Sequence, residues 1–340
     1  MPTRLKDIAE ALDVSIVTVS KVLRGKTDVS AETRDRVLRK MEELHYKPNM
    51  IARGLASGRS YTVGLIVPDV ADPFFAELAR SLGAQLRKQN YQLVLTSADE
   101  DPAVEQHEAE NLLQRGVDAL LIASCQQDAD GLAAALEGSQ EGRTPCVLLD
   151  RMLPGAEANF VGTDDVLAGR LATEHLLKLG RKRIAHLASS GTSTAQDRLQ
   201  GYREALEAAG LPYAPELVVK CDLQSGRPDA LGRDAMQRLV EQPEHPDAVF
   251  CYSDLLAVGA VRAARAMGRR VPEDVAVIGC GNLSLSEYLE VPLSSVDQGT
   301  AELGERAAKL ALELIGSKGE RGAQQVLVAP KVVARASTGR

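Results

Sequence analysis

Tryptophan is absent from this chain of 340 residues, and phenylalanine occurs only four times. Aromatic residues total 3%, so the core has to be aliphatic and any aromatic wall of a binding site must come from a handful of positions. The five cysteines (Cys125, Cys146, Cys221, Cys251 and Cys280) include no C-x-x-C pair and leave one over. That spacing argues against a disulfide framework or a zinc site and for a reducing compartment. No apolar run approaches the ~18–20 residues of a membrane span. The N-terminal segment carries Arg4, Lys6, Asp7, Glu10 and Asp13 where a signal peptide has its apolar core. A cytoplasmic protein without a membrane partner is expected. Also missing are G-x-x-x-x-G-K-[ST], H-E-x-x-H and G-x-S-x-G. Gly279-Cys280-Gly281 lacks the third glycine of a dinucleotide fingerprint and reads as a tight strand-end turn. His45, His107, His175, His186 and His245 show no metal-ligand spacing. Neither a metal, another cofactor nor an enzymatic activity is expected.

Hydrophobic residues at 44% and charged residues at 26% are ordinary for a globular chain. At roughly 100–200 residues per domain, the length suggests two or three domains. The net charge of −7 seems to speak against nucleic acid, but it is unevenly spread. Residues 1–60 carry a net +4 and the remainder −11. A basic head on an acidic body suggests a nucleic-acid-binding module with its own fold.

The pattern inside the head supports that. Leu5, Ile8, Ala9 and Leu12 repeat at helical spacing. Asp13-Val14-Ser15 breaks the pattern, with Ser15 placed to cap a second helix over Ile16–Leu23. Val19, Val22 and Leu23 can pack inward, leaving Ile16, Val17, Thr18, Ser20 and Lys21 outward. Together these make a helix-turn-helix unit, whose second helix enters the major groove by its N-terminal residues. A third helix starts at Ser30, packs through Val37, Met41 and Leu44, and shows Arg34, Arg36, Arg39 and Lys40 on its other faces. Pro48 stops it. Asn49–Ala56 could form one short helix, too short to be stable alone, and Ser57–Ser60 is a linker. Gly54 inside that helix weakens it by roughly 0.5–1 kcal/mol relative to alanine.

Beyond the linker, strands alternate with helices. Tyr61–Val67, Tyr91–Thr96, Val117–Ala123, Pro145–Leu149 and Asn159–Thr163 read as strands, with helices near Pro73–Lys88, Pro102–Arg115 and Asp128–Glu137. A second series has strands near Ile184–Ala188, Leu217–Lys220, Ala248–Tyr252 and Val275–Gly279, and helices near Asp165–Lys178, Arg198–Ala209, Pro228–Glu241 and Leu255–Met267. Strict alternation implies parallel sheets covered on both faces, and two sheets of four to six strands fit the length. Ligands in such folds sit beyond the carboxyl ends of strands. Those ends carry Asp69, Ser97, Ser124, Asp150, Asp164, Ser189-Ser190, Ser253-Asp254 and Gly281-Asn282, which points to a polar small-molecule cleft.

Several strings carry a family resemblance. In the head they are Lys6-Asp7-Ile8-Ala9, Thr18-Val19-Ser20-Lys21-Val22-Leu23, Tyr46-Lys47-Pro48-Asn49 and Ala52-Arg53-Leu55. In the body they include Val63–Asp69, Asp72-Pro73-Phe74-Phe75, Leu148-Leu149-Asp150-Arg151, Arg198-Leu199-Gln200-Gly201-Tyr202, Ser253–Ala260 and the closing Ala334-Arg335-Ala336-Ser337. In that order, over nearly the whole length, the chain resembles the lac-repressor/galactose-repressor family. The resemblance implies an all-α helix-turn-helix head (residues 1–48), a hinge helix and linker (49–60), and an α/β body (61–340). The body would have two parallel-sheet subdomains of the periplasmic-binding-protein type I fold. The first would comprise about 61–162 plus 293–324 and the second 163–292 plus 325–340, with chain crossings near Thr163, Leu293 and Gln325.

It also implies roles. Ile16, Val17 and Lys21 would read bases, the first two through thymine methyls or shape and Lys21 through guanine. Ser15, Thr18, Ser20, Ser30, Thr33, Tyr46 and Asn49 would anchor phosphates. In the hinge, Arg53 would contact DNA and Leu55 would wedge into a base step from the minor groove; ordinary packing between two hinge helices is the other reading of Leu55. For a small-molecule effector, Phe74 and Phe75 would form an apolar wall, though helix-to-sheet packing also explains them. Asp150, Thr194 and Arg198 would supply polar contacts, with Ser253 and Asn282 completing the set. Two departures stand out: Ser253-Asp254 replaces the family's Asn-Asp, and Gly281 replaces its acidic residue. With one hydroxyl acceptor lost and Arg198 kept, a sugar acid gains weight over a neutral sugar. The implied protein is a homodimeric repressor of carbohydrate genes on a pseudo-palindromic double-stranded operator. The readings set against it are a solute-binding receptor without DNA activity and a regulator responding to a purine or nucleoside.

Overall fold

In the computed structural model the described residues are 3–23, 28–46, 58–136, 144–223, 227–317 and 322–339. The chain divides into two compact units, residues 1–60 and 61–340.

The head holds three helices: α1 (Leu5–Leu12), α2 (Ile16–Leu23) and α3 (Ala31–Glu43). Asp7 accepts from the Arg4 backbone N–H at 2.7 Å, closing the start of α1. Asp13 at φ +49 ends it, a left-handed turn that aspartate tolerates better than most residues. Ser15 Oγ accepts from the Thr18 N–H at 3.0 Å, and Ser30 Oγ from the Thr33 N–H at 3.2 Å, so both helices begin on the caps their sequences offer. Ile8, Ala9, Val19, Val22 and Val37 form a small buried core, ringed by Leu5, Leu12, Met41 and Leu44.

The body contains two six-stranded sheets. The first is built from β1 (Thr62–Val67), β2 (Gln92–Ser97), β3 (Ala119–Ile122), β4 (Cys146–Leu149), β5 (Asn159–Thr163) and β11 (Gln325–Val328). Their order is β11-β5-β4-β3-β1-β2, parallel throughout. The second has β6 (Ile184–Ala188), β7 (Val218–Lys220), β8 (Ala248–Cys251), β9 (Ala276–Cys280), β10 (Ser294–Asp297) and β12 (Lys331–Val333). Its order is β12-β10-β9-β8-β6-β7, with β12 the antiparallel edge. On the first sheet lie α4 (Pro73–Lys88), α5 (Pro102–Gln114), α6 (Ala129–Leu136) and α11 (Thr300–Ser317); on the second lie α7 (Asp165–Lys178), α8 (Ser193–Ala208), α9 (Pro228–Val240) and α10 (Asp254–Ala266). Each sheet has an aliphatic core on both faces, which is why the strands read as continuous apolar runs.

Two of the three crossings lie later than expected. β10 belongs to the second sheet and β11 to the first, so the chain passes back at 297–300 and again at 328–331, not near Leu293 and Gln325. The apolar content of these short edge-region segments says nothing about which sheet they join; pairing of β10 with β9 and of β11 with β5 decides it. The crossings are tied to one another. Thr163 Oγ1 donates to the Gln298 carbonyl at 3.2 Å, and the Asp164 N–H to that of Val328 at 3.0 Å. No helix among the described residues is long and apolar enough to cross a membrane.

Candidate DNA-reading helix and effector cleft

On α2 the inward and outward residues separate cleanly. Val19 is 0% and Val22 5% exposed, whereas Ile16 is 47% and Val17 60% exposed. Two β-branched apolar side chains held in water at a helix start are costly unless something covers them. Ser15 shares its hydroxyl with Thr18 at 2.8 Å, and Lys21 pairs with Asp28 at 2.6 Å across the turn into α3. Arg36 reaches back to the Leu12 carbonyl at 3.2 Å, bracing α3 against the end of α1. Ser15, Ile16, Val17, Thr18, Ser20, Lys21, Ser30, Thr33 and Tyr46 are all described; Asn49, Arg53 and Leu55 lie outside the described residues.

In the body, the carboxyl ends of both sheets border one cleft. Its inner part, about 70 Å³, is lined by Asp72, Phe74, Phe75, Asp150, Arg198 and Gln298 among others. The outer part is about 570 Å³. Phe74 and Phe75 meet edge to face at 5.1 Å. They belong to the first sheet's core as well as to the cleft wall.

Arg198 is the most committed side chain here. Gly169 on α7 and Gly201 on α8 face the backbone of the opposite helix so closely that a Cβ on either would collide with a carbonyl. That approach brings Arg198 against Asp165: Nε donates to Oδ1 at 2.7 Å, with both side chains under 5% exposed. Nη1 donates to the Tyr252 carbonyl at 2.7 Å, and the guanidinium stacks on the Tyr252 ring at 4.5 Å. Burial works against its charge, but the carboxylate of Asp165 outweighs that and holds the arginine above its ordinary pKa. The arginine on which a sugar-acid ligand would depend is therefore already neutralised.

A second arginine, outside the contacts the resemblance implies, lines both parts of the cleft. Arg151 makes a forked pair with Glu100, at 2.9 Å from Nη1 and 2.7 Å from Nη2. Burial opposes its charge too, and Glu100 overcomes it to raise the pKa. Its Nε is buried without an acceptor. Between the two arginines stands Asp150, 8% exposed. Burial holds its carboxyl above the ordinary carboxylate range, against the pull of Arg198 and Arg151. No protein donor engages that carboxylate among the described residues. Asp72 caps α4 through the Phe74 N–H at 2.9 Å. Burial raises it to about 6, helped by the nearby Asp150 and Asp69 and resisted by that hydrogen bond.

Two expected contacts stand away from the cleft surface. Thr194 lies behind the wall, 1% exposed, its hydroxyl bonded to the Tyr252 hydroxyl at 2.8 Å; it positions Tyr252 and is not itself on the cleft surface. Asn282 is turned away from the cleft, accepting at 2.7 Å from Arg335 and bonding through its N–H to Ser295 Oγ. The closing Ala334–Ser337 string is thereby explained: Arg335 and Ser337 lace the C-terminal segment onto β9 and β10. Ser253 lines the inner part but caps α10 through the Leu256 N–H at 3.4 Å. Gly281 has φ +132, a conformation that residues with a side chain rarely adopt, so an acidic residue here would be strained. Its neighbour Asp254 does not substitute for it, because Ser295, Ser286 and the Leu283 N–H already donate to the Asp254 carboxylate.

Asp72 and Arg151 lie in strings that carry the resemblance, but outside the roles it implies. Tyr252 ends a strand; Glu100 and Gln298 had no local signal at all. Among the described residues no cluster of three His, Cys, Asp or Glu side chains is arranged to hold a metal ion.

Comparison with known proteins agrees with this geometry. Residues 4–49 match the bacterial regulatory proteins of the lacI family, and residues 173–338 a periplasmic binding protein-like domain. The transcriptional regulator DegA of Bacillus subtilis (strain 168) is 34% identical, over 99% of this chain and 98% of its own. A structure of the regulator CelR in complex with cellobiose aligns with TM-score 0.73 at 33% identity, covering 98% of this chain and 99% of the other. The lac repressor dimer bound to operator and the anti-inducer ONPF aligns with TM-score 0.83 at 26% identity, covering 99% of each. A helix-turn-helix head whose reading face stands open, joined to a two-sheet body with a polar cleft, belongs to a DNA-binding transcriptional repressor, and the chain is a member of the LacI family.

Proposed function

We propose that the protein is a homodimeric repressor whose operator affinity is set by a neutral, hydroxyl-rich effector, a sugar, held between the two sheets of the body. The observation that carries this reading is Asp150. Each cleft arginine is neutralised by a carboxylate of its own subdomain, Arg151 by Glu100 and Arg198 by Asp165, while the Asp150 carboxylate lines the inner cleft with no protein donor. A ligand hydroxyl can donate to it; an anion brought there meets like charge with no spare cation to offset it. The arginines brace the walls on either side of Asp150 and do not serve as anion receptors.

On DNA, Ile16 and Val17 read thymine methyls or groove shape, and Lys21 exchanges Asp28 for a guanine edge or a phosphate. Ser15, Thr18, Ser20, Ser30, Thr33, Tyr46 and Asn49 hold phosphates, and Arg53 and Leu55 act from the hinge. The dimer is supported by the lac repressor neighbour, which is a dimer on operator. Two subunits related by a two-fold axis select a pseudo-palindrome. Effector and operator are then linked through the relative set of the two subdomains, each altering the other's affinity by the same factor.

Calorimetry with matched neutral sugars and sugar acids tests the effector assignment, with operator gel shifts at one fixed salt concentration as readout of the coupling. A neutral sugar is expected to bind tighter than its acid and to change operator affinity. Tighter binding of the acid overturns the assignment. Removal of residues 1–60 is expected to abolish the shift.

A further inference from the structure

Behind the outer wall of the cleft lies a buried carboxylate that makes no contact with the cleft itself. Glu105 sits in the first turn of α5, is 0% exposed and lines neither part of the cleft. No lysine, arginine or histidine pairs with it among the described residues; its partners are neutral groups of the loop that follows β3. Ser124 Oγ donates to its Oε1 at 2.7 Å, and the Cys125 N–H donates to Oε2. The Gln126 N–H donates in turn to Ser124 Oγ at 3.1 Å. The Gln126 side chain donates to the Pro102 carbonyl at 2.9 Å, at the start of the helix that carries Glu105.

Burying a carboxylate without a cation is costly. Burial holds Glu105 above the ordinary glutamate range, against the pull of these hydrogen bonds. An apolar residue on α5 would avoid that cost, but it could not hold the loop. Two acceptor oxygens satisfy donors on two successive residues and so fix the course of the chain there. That stretch is cleft wall: Ser124, Cys125 and Gln126 all line the outer part. The Ser124 hydroxyl, at a strand end where it could serve a ligand, is directed inward instead. Its carbonyl faces Arg151, whose Nη1 lies 3.5 Å away.

We propose that Glu105 is a positioning residue of the effector cleft, clasping the Ser124–Gln126 loop in its wall position without touching the ligand. The proposal rests on the reading of the cleft as a sugar site. It adds that part of the effector affinity is set from behind the wall, through the loop.

The chain carries its own reporter, because Cys125 lies in the clasped loop and is 4% exposed. Cys146 on β4 reports on the rest of the same sheet. The full chain is labelled under native conditions with iodoacetamide and read by peptide mass spectrometry. Cys125 is expected to react roughly tenfold faster in Glu105→Leu than in the parent, with Cys146 unchanged. Glu105→Gln is expected to stay within about threefold, its amide oxygen accepting from the Cys125 N–H and its amide donating to the Ser124 hydroxyl. Where Glu105→Leu fails to fold, Glu105→Asp, one methylene short of the loop, takes its place with the same expectation. Calorimetry with ribose, glucose, galactose and cellobiose is expected to show about fivefold weaker binding of the sugar that binds the parent in the releasing variant, and near-parental binding in Glu105→Gln. Parental labelling of Cys125 in the releasing variant overturns the clasp, and acceleration at Cys125 and Cys146 together overturns a local role. A Glu105→Gln chain as labile as Glu105→Leu overturns the assignment to hydrogen bonding. A released loop with unchanged sugar affinity overturns the positioning role and leaves the sugar reading standing. Heat from none of the sugars with the parent overturns that reading and the effector role of Glu105 with it, while the labelling still decides whether the carboxylate holds the loop.

Discussion

The two walls of the cleft solve one problem in two ways. Each subdomain carries an arginine there, and each arginine is matched to a carboxylate of its own subdomain. On the second wall the match is tight: Arg198 is 3% exposed, its Nε and Nη1 donate to Asp165 and the Tyr252 carbonyl, and glycine-permitted contact between α7 and α8 locks the pair in place. On the first wall Arg151 leans on Glu100, whose side chain keeps 23% exposure, and retains one unsatisfied nitrogen. The difference teaches that an arginine in a binding cleft is not by itself an anion receptor. What remains for a ligand depends on which donors the fold has already spent. Arg198 is a structural pillar of the second wall, while Arg151 leans on a carboxylate that water can reach.

That contrast can be broken most directly at Arg198. Arg198→Met leaves Asp165 buried without its partner, and removing one member of a buried pair costs about 3–5 kcal/mol. Urea unfolding of the body should show a loss of this order. Adding Asp165→Leu should restore a large part of it, because no orphaned charge then remains. A single variant as stable as the parent would make Arg198 an ordinary ligand contact and erase the distinction. Arg151→Met should cost much less stability, about 1 kcal/mol, because a partly exposed Glu100 can be rehydrated. Its larger effect is expected on effector binding, with a loss of about tenfold, or ~1.4 kcal/mol. Equal stability losses for the two variants would contradict the comparison.

A third effect concerns Asp72, the carboxyl beside the first wall. Its pKa of about 6 in the folded chain lies above the ordinary 3.8. Between about pH 4 and 6 the native state therefore holds more of this proton than the unfolded state does. Stability falls as pH rises through that window and stays lower above it. Asp72→Asn keeps a side-chain oxygen for the Phe74 N–H while removing the titration. It should raise stability at pH 7 and flatten the pH dependence between 4 and 6, as followed by thermal unfolding across that range. An unchanged slope would locate the burial cost elsewhere in the cleft.

Much of this molecule is legible along the chain because its signals are local. The caps at Ser15 and Ser30, the buried stripe of Ile8, Val19, Val22 and Val37, and the alternation of apolar strands with amphipathic helices all follow from periodicity and capping within a few residues. The open Ile16 and Val17 follow in the same way. α8 is an instructive miss: it starts at Ser193, capped by Thr192, one turn before the apolar pattern that places its start at Arg198. The polar first turn Ser-Thr-Ala-Gln-Asp carries little amphipathic signal.

The sequence by itself determined a basic three-helix reading head, two series of βα units, a set of polar strand ends and the family to which they belong. Only the tertiary structure decided which sheet receives β10 and β11, that Asn282 serves Arg335 across 53 positions, and that Thr194 serves Tyr252. It also decided that Glu100 claims Arg151 and Asp165 claims Arg198, at separations of 51 and 33 residues. Helical and strand periods are imposed by the backbone and repeat every few residues. Partners of buried charges are set by how closely two elements pack, and at α7 and α8 that closeness depends on two glycines whose importance appears only when the opposing backbone is in place.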